Sequence, residues 1–277
     1  MPLLHAIVLG VVQGLSEFLP ISSSGHLILV PWLFGWEELA DNPELNRSFD
    51  VALHVGTFLA LIVYFRRDLA VLAAAGVRSL LHRRVEGQQE RLAWLLVVAT
   101  TPAATVGFVL DSLLAARTGG EAVIGVMLAV FGVVLLMADR APARRRLETF
   151  RLGDAALMGI AQAMALQPGV SRSGVTISVG RWLGFDRDAA ARISFLMMVP
   201  ITGGLGLYKA LDVFAFGEGL PPGFAAPFAW GTAAAAVTGF IAVWGLLRLV
   251  RSRAFTPFVI YRVLAGVAVV ALALVAP

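Results

Sequence analysis

Polar groups suited to acid–base or nucleophilic chemistry are concentrated in one short stretch near the start of the chain. Glu17 supplies a carboxylate, Ser22 to Ser24 supply three consecutive hydroxyls, and His26 supplies an imidazole. They lie between two apolar runs, Leu3 to Val12 and Leu27 to Phe34. Burying such groups without partners costs roughly several kcal/mol each. The stretch therefore predicts reaction chemistry within a hydrophobic environment.

A second stretch, from Gln167 to Gly174, has the same character, with Arg172 in place of the carboxylate. Each stretch leads into a new apolar segment, after Ser24-Gly25 and after Ser173-Gly174. Serine is a favoured N-cap, and the free N–H groups at a helix start bind anions. Arg172 adds a bidentate donor for phosphate oxygens. Although Ser and Gly also simply cap and pack membrane helices, we predict that the two stretches meet and bind one phosphate-bearing lipid.

The carboxylate and the imidazole of the first stretch have several chemical roles open to them. Glu17 can bind a hard cation such as Mg²⁺ or act as a general base. His26 can activate a serine, protonate a leaving group or attack directly, and its alternative is a structural helix cap. His5 and His54 lack such polar neighbours and are predicted to be structural. Arg262 lies inside the last apolar span, where snorkelling or pairing explains it.

The composition of the 277-residue chain is that of an integral membrane protein. It is 58% hydrophobic and 14% charged, with a mean hydropathy of +0.83. Because it contains no cysteine, disulfides and thiolate metal sites are excluded. The formal charge of +4 is due almost entirely to arginines. They cluster between apolar runs, which is the pattern that sets the topology of membrane proteins. We therefore expect membrane lipids, and no nucleic acid, as partners.

The apolar pattern predicts an all-α protein with six transmembrane helices and two re-entrant helical hairpins. The hairpins cover residues 1–36 and 153–183, because each apolar run there is too short to cross ~30 Å of hydrocarbon. One kinked helix with its kink at Pro20 is the alternative for the first. The predicted spans are Asp50–Phe65, Leu92–Leu110, Ala122–Ala138, Ile193–Leu211, Phe228–Leu247 and Thr256–Ala276.

Arginine distribution predicts that the two halves have opposite orientations. The segments 66–91, 139–152, 184–192 and 248–254 hold six, five, two and three arginines. The opposite segments 37–48, 111–121 and 212–227 hold one, one and none, so the first group is predicted to be cytoplasmic. Residues 1–138 and 153–277 then form an inverted repeat within one membrane domain, whose site lies at the repeat interface. The first hairpin enters from outside, so the site is predicted to open outward.

Spacing within the two hairpins supports the repeat. Gly10 and Gln13 precede Ser24-Gly25 at the same distances at which Gly159 and Gln162 precede Ser173-Gly174. In this register Ser22 coincides with Ser171.

Several segments resemble those of a known family. Residues 14–26 (GLSEFLPISSSGH) and 168–174 (PGVSRSG) are similar to the two signature motifs of the undecaprenyl-diphosphatase (bacitracin-resistance) family. Shorter similarities occur at 49–51, 194–196 and 257–262, so the resemblance covers nearly the whole chain. It implies a multi-pass enzyme of the bacterial inner membrane that hydrolyses undecaprenyl diphosphate, recycles the lipid carrier for cell-wall synthesis and confers bacitracin resistance.

The resemblance also implies site residues, a cofactor and an oligomeric state. Glu17, His26 and Arg172 are the implied essential residues, and Ser23 is the implied nucleophile. The implied cofactor is a divalent cation, Mg²⁺ or Ca²⁺, and the implied assembly is a homodimer. Some family members carry a second Glu where this chain has Gln13, so the first motif here offers one acidic metal ligand.

The resulting hypothesis is phosphoryl transfer by charge neutralisation and in-line positioning. Arg172 and the two helix starts hold the diphosphate, with the cation bound partly through Glu17. Ser23, helped by His26, attacks the terminal phosphorus, and direct attack by His26 is the alternative. The alternative functions are a transporter or flippase of a polyprenyl phosphate lipid, and a structural scaffold. The predicted phosphate-binding residues are Gln13, Ser22, Ser24, Gly25, Ser171, Ser173 and Gly174.

Overall fold

Within the residues that a computed structural model of the chain describes, 1–36, 43–115, 120–211 and 223–275, the regular elements are helical. A 3₁₀ turn at Leu147–Thr149 accompanies the α-helices. The α-helices are α1 (Leu3–Phe18), α2 (Ser23–Phe34), α3 (Pro43–Tyr64), α4 (Arg66–His82), α5 (Gln88–Ala115), α6 (Glu121–Asp139), α7 (Leu152–Met164), α8 (Arg172–Trp182), α9 (Arg187–Leu211), α10 (Ala225–Leu249) and α11 (Thr256–Val275).

Five helices in the described ranges are long and apolar enough to cross a membrane. Helical spans are expected because only they satisfy every backbone N–H and C=O within one segment in lipid. These helices confirm the all-α, multi-pass class and coincide with five of the six predicted spans. The remaining predicted span, Ile193–Leu211, lies within α9, which is not among the five. The five stretches are Leu45–Tyr64, Gln88–Val109, Glu121–Asp139, Ala225–Leu249 and Thr256–Val275.

Several helices begin or end beyond the boundaries that hydropathy predicted. α3 begins at Pro43, whereas residues 37–46 were expected to form a loop and the span to begin at Asp50. α5 continues to Ala115 past the predicted end at Leu110, and α9 begins at Arg187. Hydropathy marks only the apolar centre of a helix, while the backbone bonding continues into polar turns. The parts of the predicted loops at 37–42, 116–119 and 212–222, and Ala276, lie outside the described residues.

Both predicted breaks are present. α1 and α2 have 16 and 12 residues, and α7 and α8 have 13 and 11, so each is shorter than a span. Pro20 and the left-handed Ser22 (φ 77°) interrupt the first pair, whose helices contact one another as a hairpin. The left-handed Gly169 (φ 93°) and Ser171 (φ 76°) interrupt the second pair. We call residues 19–25 the first tip and residues 167–174 the second tip.

Small residues let the helices of the two hairpins pack closely on long helices. α1 packs on α10, where a Cβ on Gly10 or Gly14 would overlap the α10 backbone. α7 packs on α5 in the same way, with Gly159 against the carbonyl of Ala99. α6 and α11 approach through Gly125 and Gly266. Close approach of this kind is the usual way in which membrane helices associate.

A bidentate ion pair fixes the start of the second hairpin. Arg145 Nη1 and Nη2 donate to the two carboxylate oxygens of Asp154 at 3.0 and 2.6 Å. The same carboxylate accepts the Arg151 N–H at 2.9 Å and thus caps α7. This hydrogen-bonded carboxylate raises the pKa of Arg145 above its usual value. The basic segment before α7 is therefore held in one conformation.

Candidate active site

The two tips touch through backbone and side-chain hydrogen bonds. The Gly169 N–H donates to Ser22 Oγ at 3.0 Å, and Ser173 Oγ donates to the Leu19 carbonyl at 3.1 Å. The tips are also close at Gly25, where a Cβ would lie 3.3 Å from the nitrogen of Gly169 and would fit only if its neighbours shifted slightly. The sequence prediction that the tips meet agrees with these contacts.

The two tips use the same local geometry to begin a new helix. Ser22 and Ser171 are the N-caps of α2 and α8, and both have a positive φ. Their hydroxyls accept the N–H of Gly25 at 3.4 Å and of Gly174 at 3.1 Å. The first N–H groups of any helix lack intrahelical acceptors, so two sets of such donors begin at the contact between the tips. This arrangement suits an anion.

Glu17, at the end of α1, lies at the centre of the polar groups and is 4% exposed. Its Oε2 accepts the hydroxyl of Ser23 at 2.5 Å and the side-chain amide of Gln13 at 3.1 Å. Arg172 Nη1 lies 3.8 Å from its Oε1, and His54 Nε2 lies 3.7 Å from its Oε2. A buried carboxylate with a guanidinium beside it stays ionised, and the hydroxyl next to it is placed to lose its proton.

Arg172, the first residue of α8, joins the second tip to this carboxylate. Its Nη1 also donates to Thr202 Oγ1 on α9 at 3.1 Å, which fixes the direction of the side chain. The guanidinium is 23% exposed, in contrast to the 3% of the Glu17 side chain. It can therefore bind an incoming anion while it remains beside the carboxylate.

Both ring nitrogens of His26 have hydrogen-bond partners other than Ser23. Its Nδ1 lies 2.7 Å from the Ser22 carbonyl, which can only accept, so this nitrogen carries the proton. Its Nε2 lies 2.7 Å from the hydroxyl of Tyr261 on α11, and the two rings stack at 5.7 Å. In the neutral imidazole, Tyr261 is therefore the donor and Nε2 the acceptor. The Ser23 hydroxyl bonds to Glu17 instead.

Most of the predicted site residues lie at the contact between the tips. Ser171 Oγ and Ser173 Oγ are 3.2 Å apart, and Ser173 is fully buried. Ser24 lies in the first turn of α2 and is partly buried. The predicted residues that share hydrogen bonds or ion pairs within the tips, between them or in the adjoining turns of α1 and α2 are Gln13, Glu17, Ser22, Ser23, Gly25, His26, Ser171, Arg172, Ser173 and Gly174.

Two residues that sequence interpretation left outside the site lie close to it. His54 was expected to be structural, and packing of α3 beside α1 places its imidazole 3.7 Å from Glu17. Arg262 was expected to snorkel or pair; because it is fully buried it does not snorkel, and it pairs with backbone carbonyls of both tips. Neither lies in one of the two polar stretches, although the similarity at 257–262 includes Arg262 and the one at 49–51 precedes His54. His5 stacks on Trp36 at 3.8 Å, as a structural residue would.

The site offers oxygen ligands to a hard cation but not a complete protein cage. Among the described residues there is no group of three or more His, Cys, Asp or Glu side chains that could hold a metal ion. Oε1 of Glu17 and Oε1 of Gln13 are buried without a hydrogen-bond partner. Such oxygens require an additional partner. They fit a cation that takes its remaining ligands from substrate phosphates and water, as Mg²⁺ usually does.

The chain matches a known family over nearly its whole length. The family model for the bacitracin resistance protein BacA matches residues 6–268. An undecaprenyl-diphosphatase of Pelobacter propionicus is 46% identical over 276 residues, covering 99% of this chain and 98% of the relative. Proteins of the same name from Geobacter sulfurreducens and Desulforudis audaxviator are each 46% identical, over 273 and 272 residues. The first of these alignments covers 98% of both chains, and the second covers 98% of this chain and 97% of the relative.

Proposed function

The chain belongs to the BacA bacitracin-resistance family, and we propose on this basis that it is a membrane-bound undecaprenyl-diphosphate phosphatase. It hydrolyses undecaprenyl diphosphate to undecaprenyl phosphate and inorganic phosphate. The reaction regenerates the lipid carrier for cell-wall synthesis and thereby confers bacitracin resistance. The observation that carries the proposal is the buried Glu17 carboxylate, which contacts Ser23 of one tip and Arg172 of the other.

The geometry supports Ser23 as the nucleophile and Glu17 as its general base. Ser23 Oγ, 2.5 Å from the carboxylate, gives its proton to Glu17 and bonds to the terminal phosphorus. The bond from that phosphorus to the bridging oxygen breaks, and undecaprenyl phosphate leaves. Water then attacks the phosphoserine, releases inorganic phosphate and restores the serine, while the proton on Glu17 passes to solvent or product.

Arg172 and the helix starts hold the diphosphate during these steps. The guanidinium offers two parallel donors to phosphate oxygens, and the N–H groups of α2 and α8 surround the same position. Because these donors are fixed before the substrate arrives, they stabilise the charge that spreads over the phosphoryl oxygens. Direct attack by His26 is less favoured, since both of its ring nitrogens are already hydrogen-bonded.

A divalent cation, Mg²⁺ or Ca²⁺, completes the proposed site. Glu17 Oε1 and Gln13 Oε1 would hold it, because both are buried oxygens without a hydrogen-bond partner. When bound, the cation would neutralise part of the charge of the diphosphate and stabilise the negative charge on undecaprenyl phosphate as it leaves.

The proposed topology is six spans and two re-entrant hairpins, arranged as an inverted repeat of residues 1–138 and 153–277. Support comes from the exchange of contacts between halves: α1 packs on α10, and α7 packs on α5. The equal geometry of Ser22 and Ser171 supports it further. In this topology the site opens to the outer face of the bacterial inner membrane. The proposed homodimer rests on the family resemblance alone.

Phosphate release from purified protein in detergent tests the proposal. We expect release from undecaprenyl diphosphate by the unchanged protein, and a loss of about 100-fold or more in Glu17→Ala and Arg172→Ala. Arg140→Ala, which changes an exposed arginine, is the matched control. A transporter or flippase alone would release no phosphate in detergent, where no gradient exists. Normal release by Arg172→Ala would refute the proposed roles.

A further inference from the structure

The guanidinium of Arg262 lies between the two tips and is 0% exposed. Its Nη1 donates to the Pro20 carbonyl of the first tip at 3.0 Å. Its Nη2 donates to the Gly169 and Val170 carbonyls of the second tip at 2.8 and 3.0 Å. Its Nε donates to the Leu128 carbonyl of α6 at 3.1 Å. Its Nη2 also donates to the Met127 carbonyl of α6 at 3.5 Å. A single side chain thus connects five backbone oxygens from three segments.

The contacts of Arg262 follow the register of the repeat. Pro20 lies three residues before Ser23, and Gly169 lies three residues before Arg172. These two carbonyls are therefore equivalent positions, and opposite ends of one guanidinium bind them. Only three residues of backbone therefore separate each carbonyl that Arg262 binds from the proposed functional side chain of that tip, Ser23 or Arg172.

The chemistry of arginine explains why this position holds a cation without a carboxylate. Within the described ranges, Arg262 forms no ion pair with a carboxylate, unlike the arginines that do. A buried charge needs compensation, and here it comes from carbonyl dipoles that the breaks leave without helical donors. Arginine has five donors in a rigid planar fork, whereas lysine is a compact charge on a flexible stem.

The surroundings of Arg262 leave it little freedom. A Cβ on Gly174 would lie 2.7 Å from Arg262 Nη1, and a Cβ on Gly132 would lie 3.1 Å from Arg262 Cβ. The residue before it, Tyr261, hydrogen-bonds to His26. One turn of α11 therefore contacts the first tip at one carbonyl, the second tip at two carbonyls, and α2 at His26.

We propose that Arg262 is a positioning residue that clamps the equivalent carbonyls of the two tips, so that Ser23 and Arg172 face the same phosphate. It does not contact the substrate. Its loss leaves both tips present but free to move relative to one another. This inference rests on the proposed phosphatase activity, since it assigns a role within the same site.

Arg181 provides a matched control at the far end of α8. It is 5% exposed and donates to the carbonyls of Phe185, Asp139 and Ala141 at 2.8 to 2.9 Å. It is therefore also a buried arginine that binds carbonyls, but it contacts neither tip through these bonds. It differs from Arg262 in having a carboxylate, that of Asp139, 3.7 Å from its Nε. Substitutions at Arg262 and at Arg181 both remove hydrogen bonds from a buried guanidinium to backbone carbonyls, at different places.

The experiment compares Arg262→Lys and Arg262→Gln with Arg181→Lys and Arg181→Gln in detergent. It measures kcat and KM for phosphate release, the thermal midpoint, and hydrogen exchange of peptides covering residues 19–25 and 167–174. We expect both Arg262 variants to lose about 100-fold in kcat, as for small misplacements of reacting groups. We expect KM to change only a few-fold and both tip peptides to lose protection. Arg181 variants are expected to keep kcat within about threefold at a similar loss of thermal midpoint.

Three outcomes would overturn the clamp. The first is a folded Arg262→Lys or Arg262→Gln with unchanged kcat and unchanged tip exchange. The second is an equal loss of kcat in the Arg181 variants. The third is that neither Arg262 variant folds while both Arg181 variants do, because Arg262 would then serve stability alone. If unchanged protein releases no phosphate, the proposed function fails, whereas the hydrogen-exchange comparison still tests the clamp.

Discussion

The first and second tips have nearly the same backbone but different chemistry. Ser22 and Ser171 have φ values of 77° and 76°, and each caps the glycine three residues later. The first tip adds Ser23, next to the buried Glu17, whereas the equivalent position of the second tip is Arg172. The same backbone geometry thus occurs twice in the described chain. In the proposed mechanism, the side chains at equivalent positions differ: the first tip carries the nucleophile beside its base, and the second tip carries the phosphate-binding cation.

The largest effect is expected from removing the first tip's nucleophile. Ser23→Ala should lower kcat by about 1000-fold or more, because it removes the hydroxyl that donates to Glu17 Oε2 and that attacks phosphorus in the proposed mechanism. Ser16→Ala is the control, since its hydroxyl bonds to the Val12 carbonyl of its own helix. Phosphate release measures both. Comparable losses in the two variants would contradict a nucleophilic role for Ser23.

The next effect concerns the asymmetry of charge between the tips. Glu17→Gln keeps the size of the side chain but removes the base and the partner of Arg172, so kcat should fall by about 100-fold. The equivalent residue of the second hairpin is the apolar Leu166, and Leu166→Gln should change kcat less than about threefold. Equal sensitivity at both positions would mean that the tips do not divide the chemistry as described.

The two capping serines, Ser22 and Ser171, allow the stability of the two tips to be compared. We choose Ser22→Gly and Ser171→Gly, because glycine accepts the positive φ and only the CH2OH group is lost. Each should lower the thermal midpoint by the equivalent of about 0.3 kcal/mol, because glycine at an N-cap costs only a few tenths of a kcal/mol relative to serine. Ser22→Gly should also lower kcat several-fold more, because its hydroxyl alone accepts the N–H of Gly169 across the contact. Equal kcat values in the two variants would argue against this cross-contact.

The smallest effect is expected at the histidine that sequence interpretation assigned to structure. His54→Gln removes a group 3.7 Å from the Glu17 carboxylate, so kcat should fall about two- to fivefold. His5→Gln, which alters the ring stacked on Trp36, should leave kcat unchanged. A kcat for His54→Gln equal to that of the unchanged protein would restore the structural interpretation.

Sequence was sufficient for the parts of the site that have a local pattern. Polar residues at Glu17 and Ser22 to Ser24 interrupt apolar runs, and this contrast predicted both the break and its chemistry. His54 and Arg262 are single residues within apolar helices, and they reach the site only through the packing of α3 and α11. Nothing in their neighbourhood distinguishes them from an anchor or a packing residue. Helix ends such as Pro43 were missed because hydropathy does not report backbone bonding.

The central claim is that both tips hold one diphosphate, and a double-mutant cycle on kcat/KM tests it most directly. The cycle uses Glu17→Gln, Arg172→Gln and the double variant, with release of phosphate from undecaprenyl diphosphate as the measurement. If two groups act as one unit, removing the second costs little once the first is gone. The kcat/KM of the double variant should therefore be within about tenfold of that of the less active single variant. Losses that multiply fully would instead show that the carboxylate and the guanidinium act independently, and would contradict a shared site.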